Sequence, residues 1–233
     1  MQNKKKKRSL VFYIIVISWV LTTIAVIYFC FPIISSNLKY YFGKKNQQTG
    51  ESKDSNENKQ NGNANQDNKN LEKKIVIPKI GVDAPIVEPA SLSDKDILKA
   101  LENGVVHYSN TAKSGEQGNV FLTGHSSNYR WAKGSYNYVF SLLNKLTNGD
   151  EIIVYYDGTK YVYRVFEVVV VSSKDVSVLN QTEDSIVSVM TCDPPGTAWK
   201  RRVVRAKQTE PDPSKNKIPE ARAQEMIKKL IGN

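Results

Sequence analysis

The stretch Ser188-Val189-Met190-Thr191-Cys192-Asp193-Pro194-Pro195-Gly196, followed by Lys200-Arg201-Arg202-Val203-Val204-Arg205, concentrates the chemistry of this chain. The apolar run from Ile186 to Met190 predicts a buried strand that delivers Cys192 at its C-terminal end. Asp-Pro-Pro-Gly ends that strand, because proline cannot donate to a ladder and Pro-Gly favours a turn. A second strand is predicted from Arg201 to Lys207. A thiol and a guanidinium are therefore expected at facing strand ends beside one loop.

The charge of the chain is concentrated near its N-terminus. The 233 residues include 3 Trp, 12 Tyr and 7 Phe, enough for one sizeable core with appendages. The formal net charge is +10, and Lys4 to Arg8 hold five positive charges in a row. Residues 75–233 carry 20 Lys and Arg against 18 Asp and Glu, so they are nearly neutral. Because no zinc spacing, RNA-binding aromatic motif or helix-turn-helix pattern occurs, we expect no nucleic acid partner.

The N-terminal residues have the pattern of a signal anchor. Residues 1–9 are basic, and Leu10 to Phe31 is a mainly apolar run of about 22 residues without a charge. A helix of that length spans about 33 Å, enough for a bilayer core. No small-residue cleavage site follows it. The sequence therefore predicts a single-pass protein of the cell membrane, with 1–9 cytoplasmic, an uncleaved transmembrane anchor at 10–34, and the rest extracellular.

Residues 35–70 are predicted to be a disordered linker. From Gly43 to Asn70 the chain is rich in Asn, Gln, Lys, Glu, Ser and Gly, without apolar periodicity. Such a segment cannot bury enough surface to offset its chain entropy. A folded domain is predicted over 71–208, followed by a tail at 209–233 in which Pro219 to Ile231 has the pattern of a short amphipathic helix.

Many short strands at close spacing characterise the segment 71–208. One helix is predicted over Asp94–Leu101 with Ser93 as its N-cap, and Tyr138–Leu146 is predicted to be a short helix or turn. Strands are predicted at Lys74–Val82, Ala84–Val87, Gly104–Tyr108, Asn119–Thr123, Glu151–Tyr156, Lys160–Val171, Ile186–Thr191 and Arg201–Lys207. This pattern predicts a mainly β fold, a closed or nearly closed barrel of about eight strands.

Two histidines occur, His107 and His125, and His125 follows an apolar strand just as Cys192 does. A neutral thiol is a poor nucleophile, and a nearby imidazole can accept its proton and later protonate a leaving amine. An arginine beside the thiol would supply N–H donors to the oxyanion of a tetrahedral intermediate. These residue types fit an acyl-transfer site. The alternative is a cysteine that packs as a small hydrophobe and a histidine that lies on the surface.

Two separate motifs resemble those of sortases. The segments Gly104–Ala112 and Gly115–His125 are similar to the sortase signature around the catalytic histidine. Ser188–Cys192, with a strand-borne arginine about nine residues later, resembles the sortase Thr-Leu-x-Thr-Cys segment and its arginine, with Ser and Val in place of the first Thr and the Leu. The resemblance runs in register over about Ile75–Lys207 and includes the order of anchor, linker and barrel.

The resemblance implies a role for each site residue. His125 would be the acid/base, Cys192 the nucleophile, and an arginine the group that stabilises the oxyanion or positions the substrate. For this arginine Arg201 is preferred, because the family carries a small residue five positions after it and Ala206 stands there. Arg202 is the alternative. Thr191 is a candidate for substrate binding, or simply packs. His107 is expected to be a packed or hydrogen-bonded histidine, and no metal or cofactor is expected.

The implied reaction is transpeptidation. Cys192 would cleave an LPxTG-like sorting motif of an exported protein through a thioester, and an amine of a peptidoglycan precursor or a pilin would resolve it. The alternatives are a membrane-anchored cysteine protease, or a catalytically idle wall-binding module. No Asp-Pro-Trp or Asp-Pro-Phe lid motif precedes the barrel, which argues against a pilus polymerase. The subclass stays open, with a class A-, D- or E-like member expected rather than pilus class C or class B.

Overall fold

The computed structural model describes residues 12–28, 73–129, 131–220, 222–224 and 228. Residues 12–28 form a helix, α1. No helix within these ranges is long and apolar enough to cross a membrane. The predicted cytoplasmic segment 1–9, both ends of the predicted anchor and the predicted linker 35–70 lie outside the described residues.

Eight strands form the body of the domain. They are β1 (Lys74–Ile77), β2 (Val82–Val87), β3 (Val105–His107), β4 (Asn119–Thr123), β5 (Glu151–Tyr156), β6 (Thr159–Ser172), β7 (Ile186–Asp193) and β8 (Lys200–Glu210). They close into a barrel in the order β1-β2-β3-β4-β7-β8-β6-β5. The pairs β2–β3 and β4–β7 are parallel, and the other pairs are antiparallel. The predicted mainly β fold with a closed barrel is therefore confirmed.

Local sequence explains the predicted helix and the hairpin between β5 and β6. Helix α2 spans Asp94–Leu101, and the Ser93 hydroxyl accepts a hydrogen bond from the Asp96 amide, as an N-cap should. The turn Asp157-Gly158 joins β5 to β6 with positive φ angles of 46° and 77°. Two positive φ angles are what a two-residue type I′ hairpin requires, and Asp-Gly is a preferred pair there.

Two predicted strands are wrong in their extent. The predicted strand Lys74–Val82 ends at Ile77, because Pro78 opens a short 3-10 helix and Gly81, at φ 66°, redirects the chain into β2. The short helix or turn predicted at Tyr138–Leu146 is confirmed as a series of turns with a 3-10 helix at Leu143–Lys145. Strand β8 also runs three residues further than predicted, to Glu210.

The barrel strands contribute to two apolar clusters. The main core takes Val187 and Val189 from β7 and Val204 and Ala206 from β8. Because successive residues of a strand face opposite sides, the intervening residues supply a second cluster outside the barrel. This outer cluster consists of Phe121, Val178 and Val203, with partly buried Tyr108, Val169, Val171, Leu179 and Met190 against it. Val178 belongs to the connection 173–185 between β6 and β7, so this connection lies against the outer face of the barrel.

Replacing Phe140 by alanine is expected to destabilise the domain by about 3–5 kcal/mol, because Phe140 is 1% exposed in the main core and the substitution leaves a cavity. Phe166, in β6, is 47% exposed and provides the matched control, with an expected loss of about 0.5 kcal/mol or less. Urea unfolding of both variants measures the difference. Equal losses at the two positions would contradict this account of the core.

Candidate active site

The parallel pairing of β4 with β7 brings two strand ends together. Thr123 is the Cα partner of Met190, and the Gly124 amide donates to the Met190 carbonyl at 3.1 Å. Because parallel strands end at the same edge, the chain leaves β4 at His125 close to where β7 carries Cys192. The Thr191 hydroxyl donates to the Gly124 carbonyl at 2.7 Å, which ties the two ends to each other.

This contact bears on the predicted role of Thr191. Its side chain is 4% exposed, and its hydroxyl hydrogen is directed to the carbonyl of Gly124. A hydroxyl has one hydrogen to donate, and Thr191 donates it to a carbonyl of its own chain. The alternative that Thr191 packs inside the domain is the one that these contacts favour.

His125 lies half-buried at the mouth between the strand ends. Its carbonyl accepts the Phe140 amide at 2.9 Å, and a Cβ at Gly124 would lie 2.7 Å from the Phe140 ring. Glycine at 124 therefore lets the Phe140 ring pack against the backbone next to His125. Burial lowers the pKa of His125 below its ordinary value of 6.5, because desolvation disfavours the charged imidazolium. The imidazole is thus neutral at pH 7 and can accept a proton.

Cys192 and Arg201 are directly opposite each other on antiparallel strands. Cys192, a free and half-buried cysteine, is the Cα partner of Arg201 in the β7–β8 ladder. Side chains of directly opposite residues lie on the same side of a sheet, within reach of each other. Arg201 Nη1 donates to the carbonyls of Ala198 (3.1 Å) and Lys200 (3.0 Å), so the loop after Cys192 holds the guanidinium.

Arg202 lies in a different environment from Arg201. Its Cα partner is Thr191, and its Nε and Nη2 atoms donate to Asp193 Oδ1 at 3.3 and 3.1 Å. Both side chains of this ion pair are mostly buried, with 21% and 17% of their surface exposed. Arg202 therefore forms an ion pair with Asp193, whereas Arg201 lies on the same side of the sheet as the Cys192 thiol. Arg205, further along β8, pairs with Glu167 at 2.8 Å.

Sequence reasoning missed Tyr108. The ring packs edge-on against Phe121, with centroids 5.3 Å apart, in the outer cluster. Burial raises the pKa of Tyr108, the charge of Asp94 raises it further, and the positive charge of Arg201 opposes both. Tyr108 follows β3 and its ring packs on Phe121 of β4, so its place in the outer cluster depends on strand pairing that no spacing in the sequence establishes.

His107 takes no part in this strand-end cluster. It is 1% exposed, its Nδ1 lies 2.9 Å from Glu88 Oε1, and its Nε2 lies 2.9 Å from the Ala112 carbonyl. Both ring nitrogens are thus occupied within the protein. This agrees with the predicted packed or hydrogen-bonded histidine.

The loop after His125 carries the aromatic residues Tyr129 and Trp131, and hydrogen bonds among its own residues hold it in place. Asn137 Nδ2 donates to the carbonyls of Ala132 and Gly134, and the Tyr138 hydroxyl donates to the Asn128 carbonyl. Tyr129 and Trp131 stack with centroids 5.0 Å apart and are largely exposed. This loop adjoins the loop after Cys192, because a Cβ at Gly196 would lie 3.9 Å from Ser127 Oγ.

Comparison with known proteins places this arrangement in a family. Residues 75–209 match the family model of the sortase domain. The chain is 28% identical over 138 residues to Sortase D of Bacillus subtilis and 29% identical over 160 residues to Sortase SrtE1 of Streptomyces coelicolor, covering 58% and 62% of this chain. It resembles the crystal structure of sortase C-1 from Actinomyces oris with a TM-score of 0.51 and 28% identity, over 59% of this chain and 73% of that one.

The match is confined to part of each curated relative. The chain spans 62% of the length of Sortase D and 42% of that of Sortase SrtE1. The family model, by contrast, matches more than half of this chain and includes His125, Cys192 and both candidate arginines. On that match the chain belongs to the sortase family.

Proposed function

We propose that this protein is a cysteine transpeptidase that cleaves an LPxTG-like sorting motif of exported proteins and transfers the cleaved protein to an amine. The observation that carries the proposal is the direct pairing of Cys192 with Arg201, next to the strand end that bears His125. This pairing supports a site in which a thiol nucleophile, a neutral imidazole base and a guanidinium act together, which is the set of groups that acyl transfer needs.

In the first half-reaction, neutral His125 accepts the Cys192 proton. The thiolate attacks the carbonyl carbon of the scissile peptide bond, and Arg201 donates N–H groups to the resulting oxyanion. The oxyanion collapses, the C–N bond breaks, and the His125 imidazolium protonates the leaving amine. A thioester between Cys192 and the new C-terminal carbonyl remains on the enzyme.

In the second half-reaction, an amine attacks the thioester carbonyl and gives up a proton to His125. The C–S bond breaks, Cys192 leaves as the thiolate and takes that proton back, and an amide bond joins the substrate to the acceptor. The acceptor would be a peptidoglycan precursor or a pilin amine. Water in place of the amine would give hydrolysis, the outcome expected of a protease.

The proposed setting is the outer face of the cell membrane. The charge block at Lys4–Arg8 and the uncharged run Leu10–Phe31 support a single-pass anchor with the barrel outside. A polar linker would then hold the site near substrates that emerge from the same membrane, which raises their effective concentration. Similarity to Sortase D and Sortase SrtE1 supports a class D- or E-like member.

Product analysis tests the proposed function. The full-length protein is incubated with a library of sorting peptides, with and without a panel of primary amines, and the products are identified by mass spectrometry. We expect peptide–amine adducts that replace the C-terminal part of the motif. Hydrolysis alone with every amine would indicate a protease instead. No cleavage of any peptide would count against catalysis altogether.

The acid limb of kcat/KM is expected to have its midpoint below pH 6.5, because burial lowers the pKa of His125 and the free enzyme needs a neutral imidazole. Below that midpoint kcat/KM should fall about tenfold per pH unit, as expected for one essential proton. The control is His107→Gln, which removes the other histidine and should keep the limb in place. A midpoint at or above pH 6.5 would contradict the assignment of His125 as the base.

A further inference from the structure

The chain continues past the sortase domain along the barrel end away from Cys192. Residues 211–220, here called the C-terminal strap, follow β8 and lie outside the matched segment 75–209. Lys217 forms a parallel bridge with Glu116: its amide donates to the Gly115 carbonyl at 3.0 Å, and its carbonyl accepts the Gln117 amide at 2.8 Å. The strap is thus bonded through its backbone to the turn between β3 and β4.

Asn216 is the side-chain centre of the strap. Its Nδ2 donates to Ser185 Oγ at 2.8 Å and to Gln208 Oε1 at 2.9 Å. Ser185 and Gln208 are 6% and 3% exposed, and the Gln208 amide donates to the Ser185 carbonyl at 2.9 Å. Asn216 therefore ties the last residue of the connection 173–185 to β8. Removing it would leave buried polar groups without a partner.

The rest of the connection 173–185 leads from the strap toward the active site. Gln181 Oε1 accepts the amides of Ala112 (3.2 Å) and Asn119 (3.0 Å), and Asn119 Nδ2 donates to the Val178 carbonyl at 3.0 Å. Val178 then packs in the outer cluster. At its other end the connection begins after Ser172, the Cα partner of Lys200, one residue from Arg201. The connection thus forms a wall on the outer face, running from the Arg201 end of the sheet to the strap.

We propose that Asn216 is a positioning residue that fixes the distal end of this wall and so preorganises the outer face beside Cys192 for an extended substrate peptide. The inference rests on the proposed function. A loop that is fixed at both ends has little freedom left to lose when a peptide binds, so binding is tighter. Without Asn216 the end of the connection near Ser185 would lose its side-chain bond to the strap, while the contacts of Gln181 and Val178 remain. The peptide would then have to order that end, and the effect would fall on KM.

Substitution of Asn216 tests the proposal on the full-length protein. Asn216→Ala, and Asn216→Asp, which keeps the size but removes both N–H donors, are expected to raise KM for the sorting peptide about 3–10-fold with kcat within about twofold. Lys215→Ala, exposed in the same strap, is the control and should change neither. Ser185→Ala removes one of the two side-chain partners of Asn216 and should raise KM in the same direction, with the double variant no worse than Asn216→Ala alone.

Hydrogen exchange provides a readout that does not depend on turnover. Amides within 178–186 should exchange about tenfold faster in Asn216→Ala than in the wild type. Unchanged exchange, an unchanged KM, or a fall in kcat at constant KM would each overturn the proposal. Failure of the wild type to form a thioester would contradict the proposed function instead. Unchanged exchange of the amides within 178–186 in Asn216→Ala would still overturn the role of Asn216.

Discussion

Replacing Cys192 by alanine is expected to abolish peptide cleavage and transfer, with a loss of roughly 10⁶-fold in kcat, as is typical when a covalent nucleophile is removed. No other described residue is a cysteine, and the half-buried position of Cys192 opposite Arg201 leaves no neighbouring thiol to take over. Steady-state kinetics with a sorting peptide measures the loss, and urea unfolding shows that the fold is kept.

The other cysteine of the sequence supplies the control for this experiment. Cys30→Ala should retain turnover within about twofold, because the proposed chemistry needs one thiol only. If Cys192→Ala retained more than about one thousandth of the activity, the covalent mechanism would be wrong. Loss of turnover in both variants would indicate a general sensitivity to cysteine replacement rather than a nucleophile at 192.

Arg201 and Arg202 are adjacent, and their replacement should have opposite signatures. Arg201→Ala is expected to lower kcat about 10²–10³-fold with little change in stability, because its partners are the exposed-loop carbonyls of Ala198 and Lys200 and it faces the reacting thiol. Arg201→Lys should recover only part of the activity, since an ammonium cannot reproduce the planar fork of a guanidinium.

Arg202→Ala is the matched comparison. Loss of its bonds to the mostly buried Asp193 leaves that carboxylate without its cation and should destabilise the domain by about 1–3 kcal/mol. The effect on kcat should be smaller than that of Arg201→Ala, because Arg202 reaches the site only through Asp193. Kinetics and urea unfolding of both variants separate the two roles. The reverse pattern, with kcat lost at Arg202 and stability lost at Arg201, would reassign the catalytic arginine.

Sequence reasoning succeeded where function depends on local pattern. Cys192 and His125 each follow an apolar run, so their positions at strand ends could be predicted from periodicity alone. The spacing from Arg201 to Ala206 also favoured Arg201 over Arg202 before the register was known. The parallel pairing of β4 with β7 brings the two strand ends to one edge, which no spacing in the sequence could establish.

Contacts between distant segments could not be predicted. Tyr108 packs on Phe121 only because β3 pairs with β4. Asn216 meets Ser185 across 31 residues of sequence, and neither residue carries a motif. The break between Ile77 and Val82 was missed for a different reason: the apolar pattern continues through Pro78 and Gly81, so hydrophobicity predicted one strand where backbone chemistry imposes a turn.

The most direct test of the account is the intact mass of the full-length protein, quenched in acid shortly after mixing with a sorting peptide in the absence of any amine. The account predicts a mass increase equal to the N-terminal part of the cleaved peptide, mapped by digestion to the fragment that contains Cys192 and removed by hydroxylamine, as a thioester must be. An adduct on any other residue, or cleavage of the peptide without an adduct at Cys192, would contradict it.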